Sequence, residues 1–262
     1  MRYVRLFLLF IKIGLMRQMA YRPHFFIMIT GKVIRMGLLL FFFQAIFLKV
    51  DRIGQWSYDH VLLLFATFHI LDYLMSITFQ RNLSFYLPRQ IQNGELDRRM
   101  VLPANLLFFL SFENIDLVDF FSFIPSLGFL GYVLYRLDFA FSPYAFVAYL
   151  LLVFNALVFL YAMILMIATV SFWTTQSYGL AAIFDNLLKV SRYPLDIFEG
   201  FWKVVFIYFL PLILIAQVPT QALLGVLSFH FILIAFGVTA IFLLIAFGFW
   251  RTGVRNYMSA SS

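Results

Sequence analysis

The run PYAFVAYLLLVFNALVFLYAMILMIATVSF, residues 143–172, contains no Asp, Glu, Lys or Arg. About 20 mostly apolar residues suffice for a helix to cross a bilayer, and this run is longer. The rest of the chain agrees with it. Of 262 residues, 64% are hydrophobic and 12% charged, whereas a soluble domain is about half apolar and about a quarter charged. Lipid must therefore be the solvent for much of the chain, and the fold class is an all-α integral membrane protein.

Outward from this run, further apolar stretches lie at about 25–48, 61–80, somewhere within 104–135, 201–217 and 226–250. Together they predict six transmembrane helices. The N-terminal 22 residues carry Arg2, Arg5, Lys12, Arg17 and Arg22. Lys12 interrupts an apolar run too short for a signal peptide, so residues 1–22 read as a retained amphipathic helix at an anionic leaflet.

Basic residues sort by loop. The N-terminal segment has the five just named, and the loop after the second span has Arg81, Arg89, Arg98 and Arg99. The segment taken as the 4–5 loop has Lys189, Arg192 and Lys203, and the tail has Arg251 and Arg255. Against these fourteen, the opposite side holds three, Lys49, Arg52 and Arg136. The positive-inside rule then places the N and C termini in the cytoplasm. The net charge of +7 thus speaks for membrane orientation and not for nucleic-acid binding.

The region 104–135 is too long for one straight span. Its acids, Glu113, Asp116 and Asp119, recur at a spacing of three, which on one helix would give an interfacial acidic face. Residues 104–118 are expected to form an interfacial helix, with the third span starting near Asp119. The link QVPTQALLG, residues 217–225, is uncharged, with Pro211 and Pro219 in it or beside it. A re-entrant turn suits it, since irregular backbone at membrane depth needs protein or a cavity around it. Lys32 and Arg35 fall within the first span and Asp72 within the second, at matching depths, which predicts an intramembrane charge pair between Asp72 and Lys32 or Arg35. His69, one turn from Asp72, either joins that patch or merely packs.

Signs of enzymology are missing from the sequence. There is no phosphate-binding loop, no H-E-x-x-H and no G-x-S-x-G, and no catalytic residue is assigned. The absence of cysteine excludes disulfides and thiolate sites. His24, His60, His69 and His230 are scattered, so no metal site is expected.

The most informative loop spans residues 81–103. It contains IQNGELDRRMVLPAN, residues 91–105. This segment resembles the signature I-x-x-G-x-L-D-x-x-L-x-x-P-x-N of bacterial exporter-type (type 2) ABC transporter permeases, with Met100 in place of a Leu. SFENIDLVD (111–119), SFWTTQS (171–177), RYPLDIF (192–198), VPTQALLG (218–225) and FWRTGVRNYMSAS (249–261) resemble further parts of that family in the same order. The resemblance implies a single permease domain over 1–262, without an ATPase domain of its own, in the bacterial cytoplasmic (inner) membrane. It implies partners: an ATP-binding cassette ATPase dimer, a second permease of the same or another kind, and membrane lipid. ATP and Mg would sit on the ATPase, and this chain would bind no cofactor. Loop 81–103 would carry the coupling segment, with Gly94, Glu95, Leu96, Asp97, Arg98 and Arg99 at or beside the ATPase. A nearly uncharged aromatic lining of spans 1, 2 and 5 would suit an amphipathic or lipid-like cargo. Competing readings are a proton-coupled secondary carrier using Asp72 and the 113–119 acids, an intramembrane lipid enzyme, and a membrane scaffold without transport.

Overall fold

The computed structural model describes residues 2–19, 22–139, 142–174 and 177–257. Among these residues the secondary structure is helical, apart from an isolated bridge between Ile53 and Trp56. The helices are α1 (Arg2–Met19), α2 (Arg22–Phe47), α3 (Tyr58–Thr78), α4 (Leu87–Gln92), α5 (Leu96–Met100), α6 (Leu106–Phe112), α7 (Leu117–Arg136), α8 (Pro143–Thr169), α9 (Ser177–Leu188), α10 (Gly200–Val204), α11 (Gln217–Leu223) and α12 (Phe229–Arg255). Five segments are long and apolar enough to cross a membrane: Phe26–Phe47, Tyr58–Thr78, Val118–Arg136, Pro143–Phe172 and Phe229–Arg255.

Helix α3 is the centre of the bundle. It is buried along most of its length and packs on α7 and α8. Its start is fixed by Ser57, whose hydroxyl accepts from the backbone N–H of His60. Helix α8 pairs lengthwise with α12. The buried Asn155 of α8 donates to the Ala235 carbonyl of α12 at 3.4 Å, the kind of polar tie that holds helices together in lipid. Gly253 makes their close approach possible, because a Cβ there would stand 2.6 Å from the ring of Phe172. Helix α2 is peripheral and buries little besides Phe43.

The stretch 201–217 is not a span, which corrects the sequence reading. After α10 the helix widens into a π-turn, Val205–Phe209, and stops at Leu210 before Pro211. A 3₁₀ turn, Leu212–Leu214, follows and packs against Lys189–Arg192. The buried helix α11 then leads back out. Both ends of this excursion lie at one end of the bundle. Before it, Asp196 accepts from the indole N–H of Trp56 at 2.7 Å. After it, Ala222–Gly225 share a cavity with His60 and Ser142. The side chain of Gln217 closes the loop by accepting from the Leu195 N–H at 3.0 Å. The segment therefore dips in and returns, as a re-entrant turn does, and it is longer than 217–225 alone.

The segment taken as the 4–5 loop is displaced as well. Asp185 of α9 accepts from Gln80 at the far end of α3, while Asp196 sits with Trp56 at the opposite end. Residues 185–196 thus run the length of the bundle, and Lys189 and Arg192 lie between its ends. The mean apolarity of 201–217 concealed this, since apolar composition alone does not distinguish a crossing from a return.

Candidate functional site

At the Asn82 end of α3, the chain continues without a true break. A π-turn, Asn82–Tyr86, joins α3 to α4, so 58–92 is close to one rod. Asn82 splices this rod to the acidic segment. Its buried Nδ2 donates to the carbonyls of Thr78 (2.8 Å), Ser111 (2.9 Å) and Asn114 (2.8 Å), and its Oδ1 accepts from the Asn114 backbone N–H at 3.2 Å. Helix α6 does not run on into α7, because the N–H groups that would continue it are bonded elsewhere: that of Asn114 donates to Asn82 Oδ1 at 3.2 Å and that of Asp116 to the Ile77 carbonyl at 3.3 Å.

This interruption corrects the predicted acidic face. Glu113 is the C-cap of α6, Asp116 the N-cap of α7, and Asp119 lies in the first turn of α7. The three do not share one helix. Each meets a base from a different element instead. Arg99 Nε donates to Glu113 at 3.2 Å, Arg81 pairs with Asp116, and Lys32 pairs with Asp119. The last contact also corrects the expected partner of Lys32. Asp72 is half-buried, with Arg35 and Lys32 near enough to act on it but with no ion pair to either. His69 packs: it is buried, its Nδ1 is 3.0 Å from the Phe65 carbonyl oxygen, and it sits among Phe65, Phe68 and Tyr73.

Beyond α4 the chain reverses at Gly94. Its φ of +70° suits a residue without a Cβ. The N–H groups of Gly94 and Glu95 go back to the carbonyls of Ile91 (3.3 Å) and Gln90 (2.9 Å), the pattern of a Schellman stop. Helix α5 is then pinned from beneath. Leu96 is fully buried, and the Arg99 guanidinium lies over the Phe109 ring at 5.8 Å while bonding Glu113. Glu113 also accepts from the buried Gln90 of α4. One carboxylate thus ties α4, α5 and α6 together.

Of the six residues predicted at this contact, the structure turns Leu96 and Arg99 inward. Glu95 and Arg98 are exposed, and Gly94 and Asp97 are half-buried. What the sequence reading missed is the apolar tip just beyond them. Met100, Val101 and Leu102 are 44%, 82% and 38% exposed. The available signal was the uncharged MVLP run that directly follows two arginines.

Two further elements brace the mount. Helix α1 lays Tyr3, Phe7 and Phe10 edge-on against Phe108, Phe112 and Phe109, at 4.9, 5.9 and 5.3 Å. Gly14 completes that stripe, where a Cβ would stand 2.8 Å from the Ile115 carbonyl oxygen. The predicted amphipathic helix is present, and its aromatic face is spent on protein. From the C-terminal side, Tyr257 packs its ring on Phe172 at 5.9 Å. Burial, and then the neighbouring Asp97 carboxylate, push its phenol pKa up.

Beside the mount, Ser76, Gln80, Asp119 and Asp185 line a polar cleft at the edge of the bundle. Ser76 donates to Gln80 at 2.6 Å and Gln80 to Asp185 at 3.0 Å. This cleft carries charge, with Arg81, Asp119 and Asp185 in its lining, and so differs from the nearly uncharged aromatic lining expected of spans 1, 2 and 5.

The family model for "ABC-2 family transporter protein" matches residues 33–261. No curated protein and no solved structure matches the chain.

Proposed function

The chain belongs to the ABC-2 transporter family, and from that premise we propose that it is the permease of an ATP-binding cassette exporter in a bacterial inner membrane. It is a multi-pass membrane transport protein. ATP and Mg would be bound by an ATPase dimer encoded separately, and a second permease, like or unlike, would complete the pore.

The observation that carries this reading is the apolar tip Met100–Leu102, held out on a mount that Glu113, Leu96 and Asn82 make stiff. A soluble loop would have no use for such exposure, and a force-transmitting contact requires both the apolar knob and the stiffness. In the proposed cycle, ATP closes the ATPase dimer and pulls on the tip. The rod 58–92 carries the displacement into α3 at the bundle's centre, and cargo leaves between the permease halves.

Six crossings fit this scheme once 177–198 replaces 201–217 as the fifth. Lys189 and Arg192 then leave the basic count, and Lys203 moves to the Trp56 end. Eleven bases at the Asn82 end face four at the other, so the termini remain cytoplasmic by the positive-inside rule. A cargo with a polar head and an apolar body suits the cleft of Ser76, Gln80 and Asp185.

Two measurements test the reading. Val101→Asp should abolish co-purification of the ATPase while the permease stays monodisperse. In proteoliposomes, efflux should require ATP and survive collapse of the proton gradient. Efflux that dies with the gradient and ignores ATP would make the chain a secondary carrier instead.

A further inference from the structure

The cytoplasm-proximal end of α12 borders a cleft that the transport cycle does not use. One end is basic, with Arg251 and Arg255 one helical turn apart and both exposed. The walls are apolar, built from Leu106 and Leu107 of α6 and Phe247, Trp250 and Val254 of α12, with Phe247 one turn deeper along the helix than Arg251. No carboxylate lines it among the described residues, and neither arginine belongs to any of the described ion pairs.

Other bases, Arg89 and Arg98 among them, also lie outside the described ion pairs, but Arg251 and Arg255 line one apolar cleft together. Lys32, Arg81, Arg99 and Arg136 are each matched to an acid. Arg251 and Arg255 are placed side by side without one, directly beneath an apolar slot. The slot sits at the water boundary of the membrane. Trp173 stacks on Phe249 at 5.3 Å and Trp250 packs on Phe172 at 5.4 Å, and tryptophan collects at that level. A ligand filling the cleft would need an anionic group in the interface and hydrocarbon above it.

We infer that this cleft binds one anionic phospholipid, its phosphate between Arg251 and Arg255 and an acyl chain along Leu107 and Phe247. Guanidinium groups suit the phosphate because their planar N–H pairs match two oxygens at once. A basic pocket between membrane helices on the cytoplasmic side is the usual form of such a site. The occupant would link α6, which carries the mount of the exposed tip, to α12, with which it shares little direct packing. The inference needs only the membrane setting and stands whether or not the chain exports anything.

The test is lipid retention on the full-length permease with its ATPase, reconstituted in phosphatidylcholine doped with phosphatidylglycerol and read by native mass spectrometry. Phosphatidylglycerol should be enriched on the wild type. The pair Arg251→Gln with Arg255→Gln should lower that enrichment about thirtyfold, from about fivefold for each arginine near the surface. Arg251→Lys with Arg255→Lys should keep most of it, and Lys12→Gln on α1 should change nothing. If the double Gln variant does not fold, the two single Gln variants carry the test at about fivefold each. Unchanged retention overturns the inference. So does an equal loss in Lys12→Gln, which would mean general surface charge. Displacement by inorganic phosphate would make the site one for free anions, and loss of the ATPase with lipid retained would make it a protein contact. Either result also overturns the inference.

Discussion

If Glu113 is the tie that holds the coupling mount, breaking it should loosen the tip without unfolding the bundle. Glu113→Gln is the sharpest perturbation. It keeps the side-chain volume and an acceptor for Gln90, and removes only the charge that Arg99 uses. The Arg99 side chain is 28% exposed and that of Glu113 is 9% exposed, so the pair is screened less than a surface pair and more than a sealed one. A hydrogen bond to a charged group is worth about 1.5–3 kcal/mol, and partial exposure puts this one near the lower bound. Losing about 1.4 kcal/mol weakens an equilibrium about tenfold. The assay is ATPase affinity for the permease in nanodiscs, measured for Glu113→Gln, Arg99→Ala and the double variant. Each single change should weaken binding about tenfold, and the double should be no worse than either, because both remove the same bond. Additive losses would refute the reasoning. They would mean that Arg99 touches the ATPase itself and does not only lie beside it.

Other outcomes follow from the same geometry. Asp97→Lys should leave the complex assembled but uncouple ATP turnover from transport, and Gly94→Pro should do the same, since proline cannot adopt φ +70°. Assembly with unchanged turnover and transport would count against both. Gly253→Ala should lower the unfolding temperature in a fluorescence melt by the equivalent of about 1–3 kcal/mol, because its Cβ would collide with Phe172 and Thr169; an unchanged melt would mean that α8 and α12 can part cheaply. Trp56→Phe removes the donor to Asp196 and should cost about 1–2 kcal/mol in the same melt, with transport otherwise intact.

The fold was legible where composition decides it. The run 143–172 has no alternative to a membrane, and the other long spans follow from the same test. It was illegible where composition is silent about direction. Residues 201–217 are apolar in a crossing or in a return, and the two are distinguished by Asp196 meeting Trp56 before the segment and Ala222–Gly225 lying beside His60 after it. Residues 185–196 were hidden for the complementary reason: Asp185, Lys189 and Arg192 look like a loop until Gln80 at one end of the bundle and Trp56 at the other place the segment. At the site, the segment around Gly94 was found through its resemblance to a family signature. The inward turn of Leu96 and Arg99 was not readable, because it depends on Glu113 and Phe109, brought in from another helix. The splitting of the acidic face was set from far off in sequence, by the side chain of Asn82 and the carbonyl of Ile77.

The π-turn at Asn82–Tyr86 carries one residue more than an α-helical turn would hold. In an ordinary helix each residue advances the azimuth by about 100°, so this insertion sets the phase of everything beyond it relative to α3. Deleting one residue from 82–86 would restore a regular helix and rotate α4 by about that angle. Leu87 and Gln90 would then face away from the core, and the tip would point elsewhere while every side chain in it stayed the same. Aim, more than composition, is what this segment delivers to its partner.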